Sequence, residues 1–468
     1  MDNDNSSEQH RTSSSGTRAE HWTSSSGTRA APVAQTQRLQ SIDVLRGFAL
    51  LGILAMNVMV FAMPFAAYNN PTVYPEYEGT NRIVYWVTHT IFDLKMMALF
   101  SMLFGAGVVI WTRKATTPED HRRLRWIWLR RMFWLFVIGM IHAWIIWEGD
   151  ILVAYAVCGA AALWWLRRLP PVWLLIVAGA FFAIHLLLMG FMSSQTWLLF
   201  ADVEWAEQIR QSMTPEQLAT AREEAAMFLA ATPEQVAEDI AWLRGSWMEL
   251  FKRRAEFTFM MQVFILPLYL FWRSTAMMLL GAALMKMGVF SAEKSPRFYA
   301  GMAILGYAIG LPMVVGGILY NESHGFDIVY FSLPGQWFNL IGSVPMALGH
   351  AGLILWVFKK GYLARLTFAL SRVGQMAFTN YLMQSVLCSL IFFGWGLGMA
   401  GEFGRLGQQM IVVGIWIVQI LWSVAWLSKY RFGPAEWLWR SLTYWKLQPM
   451  VRAEVAAEGA GVPLDKVQ

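Results

Sequence analysis

The chain of 468 residues is 56% hydrophobic, 15% aromatic and only 15% charged, with a formal net charge of +6. Soluble chains carry about a quarter charged residues, whereas here the apolar residues gather in blocks of about twenty, enough to cross about 30 Å of hydrocarbon as helix. A soluble globular domain is excluded, and so small a charge gives no reason to expect a nucleic-acid partner.

Residues 1–37 are rich in Ser, Thr, Gly and Arg and carry TSSSGTRA twice, at 12–19 and 23–30. Such a tract cannot bury enough apolar surface to fold, so a disordered tail is expected there. No secretory signal is expected ahead of the first apolar run, which begins near Val44 and is long enough to remain as a helix. Ten spans follow, at about 43–64, 92–112, 126–147, 150–167, 172–192, 262–287, 299–319, 336–358, 373–397 and 409–429. Spans one to five occupy 38–194 and spans six to ten 257–430. Between these halves lies a long loop, 195–256, in which TPEQ occurs at 214–217 and 232–235. Thr as N-cap, Pro at the first helical position and Gln three residues on make a capping-box start each time. The last segment, 431–468, opens with RFGPAEWLWRSLTYWK, whose Gly-Pro ends span ten and starts an interfacial helix with a tail behind it.

The loops alternate in charge. The 113–131 connection holds seven Lys/Arg, and Arg167, Arg168, Lys286, Lys294, Arg297, Lys359, Lys360, Arg365 and Arg372 all fall in loops of the same parity. The opposite loops, WEGD at 147–150 and NESHGFD at 321–327, hold none. By the positive-inside rule both termini are cytoplasmic and the 195–256 loop is extracytoplasmic. The expected class is therefore an all-α polytopic membrane protein, N-in and C-in, with a helical extracytoplasmic insertion.

Polar groups inside the spans are the candidates for function, since a charge in hydrocarbon is expensive. Span one opens SIDVLRGFALLGILAMN, with Asp43 and Arg46 on one helix face and Asn57 eleven residues past Arg46, about 16 Å deeper. An interfacial ion pair and an interhelical amide contact account for these equally well. Span two carries Lys95, which either snorkels outward or holds an anion, and packs small residues at Gly105 and Gly107. At the outer turn of span three, GMIHAWIIWEGDIL places His142 beside Glu148 and Asp150. A neighbouring carboxylate fixes an imidazole's tautomer and raises its basicity, as a general base requires; a structural histidine satisfied by the hairpin fits the spacing as well. Span six carries Arg273 thirteen residues before Lys286, too deep for easy snorkelling, so a buried partner or an outer cavity is expected. Span nine puts Asn380 and Gln384 on one face, which helix–helix contact explains adequately. His89 reads as a surface residue ahead of span two, and His185 and His350 as hydrogen-bonded histidines within apolar runs. Cys158 and Cys388 read as small core residues. No nucleophile elbow, phosphate-binding loop or metal-ligand spacing is present.

The stretches RLQSIDVLRGFALLGILAMNVMVF, KMMALFSMLFGAG, GMIHAWIIWEGDILVAY, MLLGAALMKMG, GQMAFTNYLMQS and RFGPAEWLWRSLTY, in this order from Arg38 to Lys446, resemble the YeiB-like family of bacterial inner-membrane proteins. The opening helix is also more remotely similar to transmembrane acyltransferases such as the heparan-alpha-glucosaminide N-acetyltransferase group. These share an Arg-Gly pair and a polar residue eleven positions after the Arg, here Arg46, Gly47 and Asn57. That resemblance implies transfer of an acyl group from cytoplasmic acyl-CoA, as co-substrate, to a hydroxyl or amine of an extracytoplasmic glycan or lipid-linked acceptor. No tightly bound cofactor is implied. The group's catalytic His corresponds to Tyr68 here, so the base would have to be His142, with Asp150 or Glu148 orienting it and Asn57 donating to the oxyanion. Arg46, Lys95, Glu148, Arg273, Asn380 and Gln384 would line the substrate path. The alternatives are a transporter or export factor for a lipid-linked or sugar-like solute, whose pathway the same residues would line, and a membrane scaffold.

Overall fold

The computed structural model describes residues 39–113, 115, 117–226 and 232–452, so the tail expected at 1–37 lies outside the described residues. The regular elements are helices, eight of them long and apolar enough to cross a membrane; the apolar helices Leu152–Leu166 and Ala377–Phe392 are shorter. This is an all-α polytopic membrane protein, and each of the ten expected spans coincides with one of these helices.

The helices that build the bundle are α1 (Gln40–Ala62), α2 (Gly79–Ile91), α3 (Lys95–Thr112), α4 (Pro118–Ile141), α5 (Leu152–Leu166), α6 (Pro171–Phe200), α7 (Trp247–Met260) and α8 (Phe271–Lys286). They continue with α9 (Pro296–Ser323), α10 (Gln336–Lys360), α11 (Ala364–Gln375), α12 (Ala377–Phe392), α13 (Arg405–Lys429) and α14 (Pro434–Tyr444). Helix α1 runs through the middle, buried along most of its length against α3, α11, α12 and α13. Close backbone approach makes this possible. A Cβ at Gly47 would lie 2.0 Å from the Leu370 carbonyl oxygen, and one at Gly374 would lie 1.9 Å from that of Asp43. Helices α3 and α8 meet the same way, through Gly105 and Gly281. With no hydrophobic driving force between helices in lipid, such small-residue contacts maximise dispersion. Gly107, expected to share this packing, instead faces open space.

Several helices are locally irregular. The expected second span is preceded by α2 and broken at Leu94, whose left-handed φ of 59° is sterically unfavourable for a residue with a Cβ. The expected sixth span is longer than its apolar run: Ser246 and Glu249 form a capping box that starts α7 well before it. A π-helical segment, Met261–Leu270, then carries the chain past Pro267 into α8, its wider turns accommodating the proline that an α-helix would reject. Both TPEQ stretches form the expected reciprocal caps, Thr214 with Gln217 and Thr232 with Gln235. The expected interfacial helix is α14, started by Pro434.

Candidate functional site

The GMIHAWIIWEGDIL stretch forms a short π-helix, His142–Ile146, followed by a turn into α5. Widening the helix leaves carbonyls without their usual partners. Helix α7 supplies them: the Thr258 hydroxyl donates to the Ala143 carbonyl at 3.2 Å, and the Arg254 guanidinium to that of Ile145 at 2.8 Å. The same guanidinium pairs with Glu148 at 3.3 Å, with Arg254 wholly buried.

Glu148 is thereby committed to Arg254. The orienting carboxylate of His142 is Asp150, whose Oδ1 lies 2.8 Å from the imidazole Nδ1, with the two side chains 2% and 1% exposed respectively. The other carboxylate oxygen accepts from the Val153 backbone N–H at 2.8 Å, at the start of α5, where the helix dipole favours negative charge. An ionised Asp150 can only accept, so Nδ1 carries the hydrogen and Nε2 of the neutral ring is left as an acceptor. That Nε2 is buried and has no hydrogen-bond partner among the described residues. Buried polar atoms are nearly always paired, so an orphan of this kind calls for a functional explanation.

Tyr381 of α12 closes the other flank. Its ring lies 5.3 Å from the imidazole, and its hydroxyl accepts from the Ile151 N–H at 3.3 Å. Tyr381 directly follows Asn380, which with Gln384 reads from the sequence as a helix-contact face. Those neighbours serve helix contact: Asn380 donates to the Val373 carbonyl and to Ser423, Gln384 to the Leu50 carbonyl and to Gln419. Both are buried ties that hold α12 to α1 and α13.

Arg46 and Asn57 lie along one side of α1. Within α1, Arg46, Ile53, Asn57 and Val60 are partly exposed and recur at helical spacing on one face, with Phe48 partly exposed on another. Arg46 forms the expected ion pair with Asp43 at 3.3 Å and is within electrostatic reach of Arg131 on α4. One turn beyond Asn57, Phe61 stacks on Trp147 at 4.5 Å between ring centroids, and Trp147 meets His142 edge-on at 6.4 Å. Thus the face bearing Arg46 and Asn57 adjoins the aromatic wall of the His142 turn.

Lys95 and Arg273 belong to another cluster. Lys95 is fully buried and does not snorkel, and its ammonium donates to the His89 carbonyl at 2.6 Å and to Asn339 at 2.7 Å. Arg273 has the buried partners expected of it, the Leu340 carbonyl and Ser343. His89 is buried rather than superficial, its ring nitrogens near the Tyr85 and Tyr68 carbonyls, because α2 packs it inward. His350 is hydrogen-bonded as expected, to Tyr307 and the Ile91 carbonyl, but His185 has no partner on either nitrogen. No group of three or more metal-ligating side chains occurs among the described residues.

Arg254 was missed by sequence reading because it lies in a segment expected to be an exposed loop, 106 residues from its partner. The only local signal was the Ser246–Glu249 capping spacing at the start of its helix.

Residues 284–446 match a family described as "Protein of unknown function (DUF418)". The chain is 30% identical over 412 residues to the uncharacterized protein YeiB of Escherichia coli K12, covering 87% of this chain and 96% of the relative. It is 28% identical over 444 residues to the uncharacterized protein YxaH of Bacillus subtilis 168, covering 90% and 98% respectively.

Proposed function

The chain belongs to the YeiB-like, DUF418-containing family of membrane proteins, and from that starting point we propose that it is a transmembrane acyltransferase with His142 as general base. The observation that carries this is the buried imidazole with Nδ1 held by Asp150 and Nε2 free to take a proton. Buried structural histidines usually have both nitrogens occupied.

In this mechanism the basic loops face the cytoplasm, and Arg46 and the 113–131 cluster attract the phosphates of acyl-CoA. The thioester lies along the accessible face of α1 toward Asn57. An acceptor hydroxyl or amine approaches from the opposite side of the membrane. His142 Nε2 removes the acceptor's proton as its oxygen or nitrogen bonds to the thioester carbonyl carbon. Asn57 donates to the resulting oxyanion, a contribution worth about 3 kcal/mol in a dry site. Collapse of the adduct breaks the carbon–sulfur bond, and the imidazolium returns its proton to the leaving CoA sulfur. Asp150 holds the ring in one tautomer throughout, and Arg254 with Tyr381 fixes the turn that carries Asp150.

The test uses purified full-length protein in detergent with acetyl-CoA, water serving as the default acceptor, and release of the CoA thiol is read with a thiol reagent. His142→Gln should fold with an unchanged melting temperature, still bind acetyl-CoA, and lose thiol release by about 10² to 10⁴-fold. Loss of melting temperature with activity per folded molecule retained would make the histidine structural. Absence of thiol release from the wild type with every acceptor class offered, alongside solute flux in proteoliposomes, would favour transport instead.

A further inference from the structure

The break between α2 and α3 carries a second concentration of buried charge. Asp93 accepts from the Tyr68 hydroxyl at 2.8 Å and from the Asn339 amide at 2.6 Å, and Asn339 in turn accepts from Lys95. Arg273 approaches from α8 and is anchored by Ser343 at 2.7 Å. Asp93 is the carboxylate within electrostatic reach of both Lys95 and Arg273. One carboxylate therefore faces two fully buried cations. An uncompensated buried cation is strongly destabilising, and inside a membrane such a group is a candidate ligand or ion site.

The donors are also incompletely used. Among the described residues, Arg273 Nε has no hydrogen-bond partner, nor has either nitrogen of the wholly buried His185 within electrostatic reach of it. His185 packs edge-on against Tyr269 at 4.9 Å. Tyr269, partly exposed like Tyr68 and Asn339 of this network, lies at the end of the π-helical segment whose Val263, Phe264 and Leu268 are exposed. The strained Leu94 sits between Asp93 and Lys95, where backbone strain is often tied to function.

We propose that this cluster is an oxyanion-binding site, independent of the His142 pair, that takes a single carboxylate or phosphate group on Arg273 Nε and Lys95. The anion supplies the missing negative charge and the missing acceptor together. Access runs sideways past Tyr269, so the group arrives either as a lipid headgroup or as a free anion. Basic pockets between membrane helices hold phosphorylated headgroups by this chemistry.

Purified full-length protein distinguishes the two sources. Native mass spectrometry with phosphatidylglycerol, against phosphatidylcholine as control, tests the headgroup; thermal-shift titration with inorganic phosphate and with acetate, against chloride at equal ionic strength, tests the free anion. Saturable one-to-one binding is expected in at least one arm, and the arm that responds names the source. Arg273→Gln should weaken that binding about tenfold or more. Asp93→Asn, which removes the competing carboxylate, should tighten it. If Arg273→Gln fails to accumulate, the sign of the Asp93→Asn effect decides alone. No saturable binding in either arm, or affinity that Asp93→Asn leaves unchanged or weakened, overturns the proposal.

Discussion

Glu436 shows how one carboxylate can join two parts of the chain. It sits in α14, and its oxygens accept from the Phe378 N–H at 2.7 Å, the Thr379 N–H at 3.2 Å and the Thr379 hydroxyl at 2.5 Å. Those are donors of the first turn of α12, which has no side-chain cap of its own. Glu436→Ala orphans them and should cost about 1–3 kcal/mol, read as a lower melting temperature in detergent. The carboxyl group is enclosed, and loss of hydration pushes its pKa up despite the opposing hydrogen bonds. A raised folded-state value means that the native state binds the proton more tightly than the unfolded chain. The stability contributed is therefore full below the ordinary carboxyl value of about 4.3 and is lost as pH rises through the folded value. The melting temperature of the wild type relative to Glu436→Gln should accordingly fall as pH is raised from about 4. A difference that grows with pH would show the opposite sign. The nearness of His142 to Glu148 and Asp150 was legible because few residues and one turn separate them, but which carboxylate holds the ring was not. Their partner Tyr381, the roof residue Arg254 and the cap Glu436 all act across long sequence separations, where no spacing rule applies.

Among the elements, α3 and α8 are held together by reciprocal close approach. A Cβ on Gly281 would come within 1.9 Å of the Met102 carbonyl oxygen, and one on Gly105 within 1.8 Å of that of Met278. Backbone atoms cannot give way as a flexible side chain can. Gly281→Ala should therefore push the helices apart and cost about 1–3 kcal/mol, whereas Gly107→Ala, which meets nothing within 4 Å, should be neutral or slightly stabilising. Paired thermal melts in detergent check this, and equal losses in both variants would contradict it. Gly105 and Gly107 read identically in the GAG triplet, because composition marks a small-residue stripe but not which helix faces it. Element existence was legible from the apolar blocks. The helical irregularities were not: 262–287 reads as one span with no account of Pro267, and the chain does continue there as one helix, π-distorted because wider turns absorb the ring. The stop at Leu94 had no comparable signal, since Leu is not a residue that favours left-handed backbone.

For the whole molecule, we propose from the alternation of basic and acidic loops that the His142 turn and the 195–256 loop lie on the side away from the cytoplasm. Single cysteines placed at exposed positions of that loop, such as Glu216 or Glu234, should react with an impermeant maleimide in spheroplasts, while one at Glu119 should react only after lysis. The reverse pattern would turn the proposed direction of acyl transfer around. The two short apolar helices bear on the same surface. Leu152–Leu166 and Ala377–Phe392 have 15 and 16 residues, or about 22–24 Å of rise, against about 30 Å of hydrocarbon. Their ends meet at the contact between Ile151 and Tyr381 beside His142. In the proposed orientation α5 rises only about 22 Å from the cytoplasmic face, so the His142 turn stops short of the far surface and an acceptor must enter the bundle to come alongside the imidazole.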